Sequence, residues 1–229
     1  MDVTASSENA PLEIQPTPPK FSDRLSWIFG QVVSIIFHPL FIPTYIFCLL
    51  MEAVPYEFAG ISQWQLTLRF FTCFWWTAFL PAFAIFLLWR LQFINSILLK
   101  TQKERIVPYI IVMFFYWWMY YLSRNFTDQP IVLRFFFMGI FLSTVVGLIL
   151  NSYFKISLHG MAAGGAVTAI GLFSWYYAIP LWIYLIPAVL LAGLIATARM
   201  LVSDHSTREI YMGLLMGAAC QWLAYVFIA

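Results

Sequence analysis

Twenty consecutive residues, Ile131 to Leu150 ("IVLRFFFMGIFLSTVVGLIL"), carry a single charge, Arg134. A run of this length matches the roughly twenty residues an α-helix needs to cross the hydrocarbon core of a bilayer. There every backbone N–H and C=O must be paired within the protein, which leaves only helices or closed barrels as solutions. Comparable runs recur. "LTLRFFTCFWWTAFLPAFAIFLLW" (Leu66 to Trp89) predicts a membrane helix kinked at Pro81, and "VPYIIVMFFYWWMYYL" (Val107 to Leu122) a shorter one rich in interfacial aromatics. "IPLWIYLIPAVLLAGLIATA" and "IYMGLLMGAACQWLAYVFIA" close the chain. Charged residues make up only 10% of the sequence and hydrophobic ones 62%, whereas a soluble domain has about 25% charged residues. The bilayer is the solvent.

The fold class expected is therefore all-α, a polytopic bundle of about six to seven spans filling residues 21–229. Residues 1–20, with four prolines and scattered polar groups, predict a disordered tail. "FSDRLSWIFGQVVSIIF" followed by "HPLFIPTYIFCLLM" reads either as one kinked span or as an interfacial helix leading into a span. "GMAAGGAVTAIGLF" is less oily, and its Gly160 and Gly164 form a GxxxG spacing that Gly213 and Gly217 repeat in the last helix. Both pairs read as helix-packing surfaces. Cys48, Cys73 and Cys220 sit inside apolar runs and read as small buried hydrophobes. A net charge of +2 gives no footing for nucleic acid.

Following the crossings sorts the basic residues onto two faces. One receives Lys20, Arg24, Arg90, Lys100, Lys103, Arg105, Lys155, Arg199 and Arg208; the other receives Arg69, Arg124 and Arg134. Three turns far apart in sequence offer polar groups on the first face. "LLKTQKERIVPY" places Lys100 and Arg105 ahead of Pro108 and a helix start. "NSYFKISLHGMAAGG" sets Lys155, Ser157 and His159 before a small-residue helix, whose N-terminal N–H groups favour an anion. "ARMLVSDHSTREIYMG" ends one helix at Arg199 and puts His205 at the mouth of the next, with Glu209 four residues on. That spacing lets the carboxylate hold one imidazole nitrogen and leave the other nucleophilic. Asp204 and Arg208 read as solvated turn residues. His38, ahead of Pro39, reads as a structural hydrogen-bonding group, or as a cavity residue if the first segment is interfacial. Three histidines and few facing carboxylates do not make a metal site.

The R-x5-H-x3-E pattern of Arg199, His205 and Glu209 resembles the third signature of the type 2 phosphatidic acid phosphatases, S-R-x5-H-x3-D. Ser157-Leu158-His159 resembles the second, P-S-G-H, and Lys100 with Pro108 resembles the first, K-x6-R-P. The likeness covers roughly Lys100 to the C-terminus. Val107 stands where the first signature has arginine, Ile156 and Leu158 replace the proline and glycine of the second, and Ala198 and Glu209 replace the serine and aspartate of the third. The resemblance implies metal- and cofactor-free hydrolysis of a lipid phosphomonoester or polyprenyl diphosphate through a phosphohistidine on His205. Glu209 would orient that ring and His159 protonate the leaving oxygen. Arg199, Lys100, Arg105 and Ser157, with Lys155 as an auxiliary, would grip the phosphoryl oxygens. A decayed membrane scaffold of the same fold and a lipid transporter are the alternatives.

Family precedent places such a site on the outer side of a bacterial inner membrane, whereas the basic count favours the cytoplasm. Setting aside the four cations that would bind phosphate leaves too slight a bias to orient the chain. An impermeant thiol reagent applied to intact cells should therefore label a cysteine at Ser203 and not one at Asn125, on a cysteine-free background. The reverse pattern would put the site inside.

Overall fold

A computed structural model describes residues 21–96, 101–202 and 205–229. The tail expected at residues 1–20, Lys100, Ser203 and Asp204 lie outside the described residues. The described residues are helical, without a strand: α1 Phe21–Ile36, α2 Ile42–Ala53, a short 3₁₀ turn Pro55–Phe58, α3 Gln63–Phe74, α4 Leu80–Arg90, α5 Gln102–Asn125, α6 Ile131–Asn151, α7 Leu158–Tyr177, α8 Trp182–Val202 and α9 Thr207–Ile228. The continuous α3–α4 rod Gln63–Arg90, α5, α6, α8 and α9 are each long and apolar enough to cross a membrane. The chain is an integral, multi-pass helical membrane protein.

The six to seven crossings expected from the sequence thus reduce, by length and hydropathy, to five among the described residues. Part of the difference has a physical cause in the first apolar stretch, and the small-residue helix α7 is the other segment not counted among the five. The first apolar stretch breaks at Phe37–Phe41, between helices of 16 and 12 residues. At 1.5 Å per residue they reach about 24 Å and about 18 Å, each short of a span. Pro39 bars the residue before it from the helical region, so the break falls at His38. The kink expected at Pro81 appears as a π-turn, Trp75–Phe79, in which the Leu80 N–H reaches back to the Trp75 carbonyl. Proline lacks the N–H for the carbonyl four residues back and crowds it, so the preceding turn widens.

Packing is tightest between α7 and α9, where the two GxxxG motifs meet face to face. A Cβ on Gly160 would lie 2.7 Å from the Ile210 carbonyl oxygen, and one on Gly213 2.7 Å from that of Ser157. At Gly164 and Gly217 a Cβ would overlap the backbones of Leu214 and Met161 outright. Small residues let the two backbones touch. The aromatic core (Phe47, Phe135, Phe136, Phe137 and Phe173) fills the end away from the three turns. That end is pinned by Arg69, which bonds Asp128 at 2.5 Å and lies over the Phe126 ring. Arg69 holds the Asp128 carboxyl below the usual carboxylate range through this hydrogen bond. α1 lies on α8 by way of Gly30, whose missing side chain admits Val202 and the Ala198 carbonyl.

Gly164→Ala should lower the thermal unfolding midpoint in detergent, because overpacking at a backbone contact costs about 1–3 kcal/mol. Gly171→Ala, in the same helix but facing open space, should raise it slightly, since glycine costs about 0.5–1 kcal/mol in a helix interior. Equal shifts for the two variants would argue against a backbone-to-backbone seam.

Candidate functional site

Each of the three turns is shaped by a local signal. Thr101 and Glu104 form a capping box that starts α5 and brings Arg105 into its first turn. Ser157 caps α7 by accepting the Gly160 N–H at 3.3 Å. Ser206 and Glu209 form a second capping box at the start of α9. Such reciprocal pairs satisfy N–H groups that a helix start leaves unbonded. The α7–α9 seam then sets two of these starts side by side, with the Ser157 N–H donating to the Glu209 carbonyl at 3.4 Å.

His205 stands where the three turns converge, its side chain only 3% exposed. Its Nδ1 lies 3.1 Å from Glu209 Oε2, and its Nε2 lies 3.4 Å from Arg105 Nη2. A guanidinium only donates and a carboxylate only accepts. The neutral ring therefore carries its proton on Nδ1, toward Glu209, and turns the Nε2 lone pair toward Arg105. Glu209 Oε2 also accepts the Ser206 N–H at 2.9 Å, so one carboxylate both starts the helix and fixes the tautomer. Burial lowers the His205 pKa, and the nearby Arg105 and Arg199 charges lower it further, against the opposing pull of Glu209. The ring is neutral at physiological pH.

Behind His205 lies a cavity of about 400 Å³. Arg105, Arg199, His38, His159 and His205 line one end, and Tyr116, Phe136 and Gln221 lie at the other. From Arg105 to Tyr116 the helix rise corresponds to about 16 Å. Most of the wall is apolar, so the cavity joins a cationic end to a greasy channel. Arg105 is tied down by donating to the Ile156 carbonyl at 3.2 Å. Arg199 Nη1 donates to Ser34 Oγ at 3.3 Å, and His159 Nε2 donates to the Ser34 carbonyl at 3.0 Å.

The structure therefore brings His205, Glu209, His159, Arg199 and Arg105 together from three turns. It does not bring in all the expected residues. Ser157 is buried with its hydroxyl accepting from Gly160, and neither it nor the half-buried Lys155 is part of the cavity wall. Lys100 lies outside the described residues. Gln31 and Ser34 of α1 line the cavity, which was not expected, and His38, in the break after α1, lines it too, as the interfacial reading of the first segment allows. The spacing of three residues between Gln31 and Ser34, in the apolar second half of α1, is the signal that marks that pair. Among the described residues no group of three His, Cys, Asp or Glu side chains is placed to hold a metal ion. The chain matches no family model, and no curated protein or solved structure shows significant similarity to it.

The tautomer and charge of His205 are measurable on protein labelled with ¹⁵N-histidine. A lowered pKa means that the proton is taken up only below the ordinary value of about 6.5. The neutral Nδ1–H form should accordingly persist as pH falls through that value. Glu209→Gln removes the one charge that favours protonation, so it should shift the midpoint lower still. A midpoint above 6.5 in the unaltered protein would contradict the electrostatics described here.

Proposed function

We propose that the chain is a membrane-embedded phosphohydrolase that removes phosphate from a lipid phosphomonoester or a polyprenyl diphosphate. One observation carries the reading: His205 is fixed by Glu209 with its Nε2 lone pair toward a guanidinium, at the cationic end of an otherwise apolar cavity. A phosphoryl group entering beside Arg105 and Arg199 meets two charge-assisted donors and a neutral nucleophile. Nε2 attacks phosphorus, the bond from phosphorus to the lipid oxygen breaks, and the imidazole carries the phosphoryl group. The positive charge that forms on the ring is balanced by Glu209 across Nδ1–H, as a triad carboxylate balances its histidine. His159, whose Nε2–H stays on the Ser34 carbonyl, is protonated on Nδ1 beside the bound phosphate and gives that proton to the leaving oxygen. Water then attacks phosphorus while its proton passes to the neutral His159, and the P–N bond breaks to release phosphate and restore both histidines.

The apolar channel supports a substrate whose tail remains in a hydrocarbon-like environment while its phosphate reaches the turns. In this reading α7 and the broken α1–α2 pair complete the crossings, and the site opens to the outer side of a bacterial inner membrane. A lipid-translocating role is a second reading, favoured by the α1–α2 break lining the cavity, since discontinuous helices build transporter sites.

His205→Ala should abolish phosphate release from a lipid phosphate panel while leaving helix content and the detergent-solubilised elution profile unchanged. Glu209→Gln should cost far more activity than Glu209→Asp. Losing an orienting carboxylate costs about ten-thousandfold in the best-studied triad, and the loss here should be smaller because the two arginines carry much of the transition-state charge. Wild-type turnover by His205→Ala would remove the nucleophile assignment. A wild-type protein that moves labelled lipid between leaflets without releasing phosphate would favour translocation.

A further inference from the structure

α1 presents Leu25, Trp27, Ile28, Phe29, Val32, Ile35 and Ile36 to its surroundings, as a lipid-facing helix does. Gln31, Ser34 and His38 nevertheless face inward to the cavity. Polar groups in hydrocarbon are costly unless they meet partners or line a polar site. Ser34 is already engaged, its carbonyl by His159 and its hydroxyl by Arg199. His38 differs. Its Nδ1 accepts the Leu40 N–H at 3.4 Å, which puts the proton of the neutral ring on Nε2. The ring stands edge-on to that of His159, with centroids 5.4 Å apart. It also sits at the break between α1 and α2 and lines the cavity there.

We propose that His38 is a further binding residue of this site, its Nε2–H donating to an anionic oxygen of the ligand's phosphate. The inference rests on the phosphate reading above and adds the α1–α2 break as a wall of the pocket. The donor is uncharged, which suits its place. Two guanidiniums already supply positive charge, and His159 takes up a proton once phosphate is bound, so a further cation beside Arg199 would be opposed by like-charge repulsion. A neutral imidazole contributes a directed hydrogen bond without that penalty. The three histidines then divide the work. His205 offers a lone pair, His38 offers a proton for hydrogen bonding, and His159, held through Nε2 by the Ser34 carbonyl, protonates the leaving oxygen. The partner identified is an oxyanion of phosphate geometry, whether free or on a lipid.

Orthovanadate and inorganic phosphate are the probes, and their dissociation constants are measured on the full chain in detergent with thermal unfolding recorded for each variant. His38→Phe keeps an aromatic ring beside His159 but has no N–H. His38→Gln loses the ring but carries an amide N–H at about the reach of Nε2. A hydrogen bond to a charged group predicts a roughly tenfold to hundredfold weaker vanadate affinity in His38→Phe. His38→Gln should stay within about threefold of wild type. Wild-type affinity in His38→Phe overturns the proposal, and so does an equal loss in both variants, because the ring rather than its donor would then matter. Should His38→Phe not fold, His38→Leu takes its place. If the unaltered protein binds neither probe, the phosphate reading itself fails and this inference falls with it. Tight wild-type binding with an indifferent His38→Phe leaves that reading intact and removes only the role of His38.

Discussion

The contact between α7 and α9 is the constraint on which the site depends. Four glycines, two from each helix, let the backbones meet closely enough that the Ser157 N–H bonds the Glu209 carbonyl. Between lipid-exposed helices no water is gained by association, so close van der Waals packing is what holds such a pair. This seam sets the start of α7 beside the start of α9. It fixes where His159 and His205 stand relative to one another, because each lies within two residues of its helix start. A bulkier seam would push the two histidines apart.

Local folding and site chemistry share the same atoms. Glu209 closes the capping box of α9 and holds the His205 ring, so the group that sets the tautomer is itself anchored to the backbone of Ser206. Arg105 is comparably doubled, with one nitrogen on the Ile156 carbonyl and another toward His205. Such preorganisation matters electrostatically. Donors already oriented in a water-poor pocket need no rearrangement when charge develops, and they act at lower dielectric than in solvent.

Much of this was legible in the sequence, and the reason is locality. The apolar runs, both GxxxG spacings and the His205–Glu209 pair depend on residues within a few positions of one another, where helix geometry alone predicts who meets whom. The assignment of Ser157 shows the limit of that logic. A serine just before a helix start is marked by sequence as a cap, and the structure uses it so, keeping it off the cavity wall. The sequence also could not show that the two GxxxG motifs face each other rather than other helices. The contribution of α1 was least legible. Ser34 meets Arg199 across 165 positions and His159 across 125. A polar stripe on an apolar helix reads the same whether it faces a ligand cavity or a headgroup layer.

The break between α1 and α2 follows from the same balance. A continuous helix from Phe21 to Ala53 would satisfy its own backbone and need no cavity. The sequence instead spends a proline at position 39, which releases backbone groups that must find partners away from water. Some find them locally, the His38 N–H on the Ile35 carbonyl and the Phe41 N–H on that of His38. The Leu40 N–H turns to the His38 ring instead. The same interruption that shortens the helix therefore also orients an imidazole beside His159 and Arg199. In an apolar bundle such a break is costly unless the groups it frees find partners. The polar end of the cavity is where that cost is returned, because it gathers the side chains of α1, α5, α7 and α8 around His205.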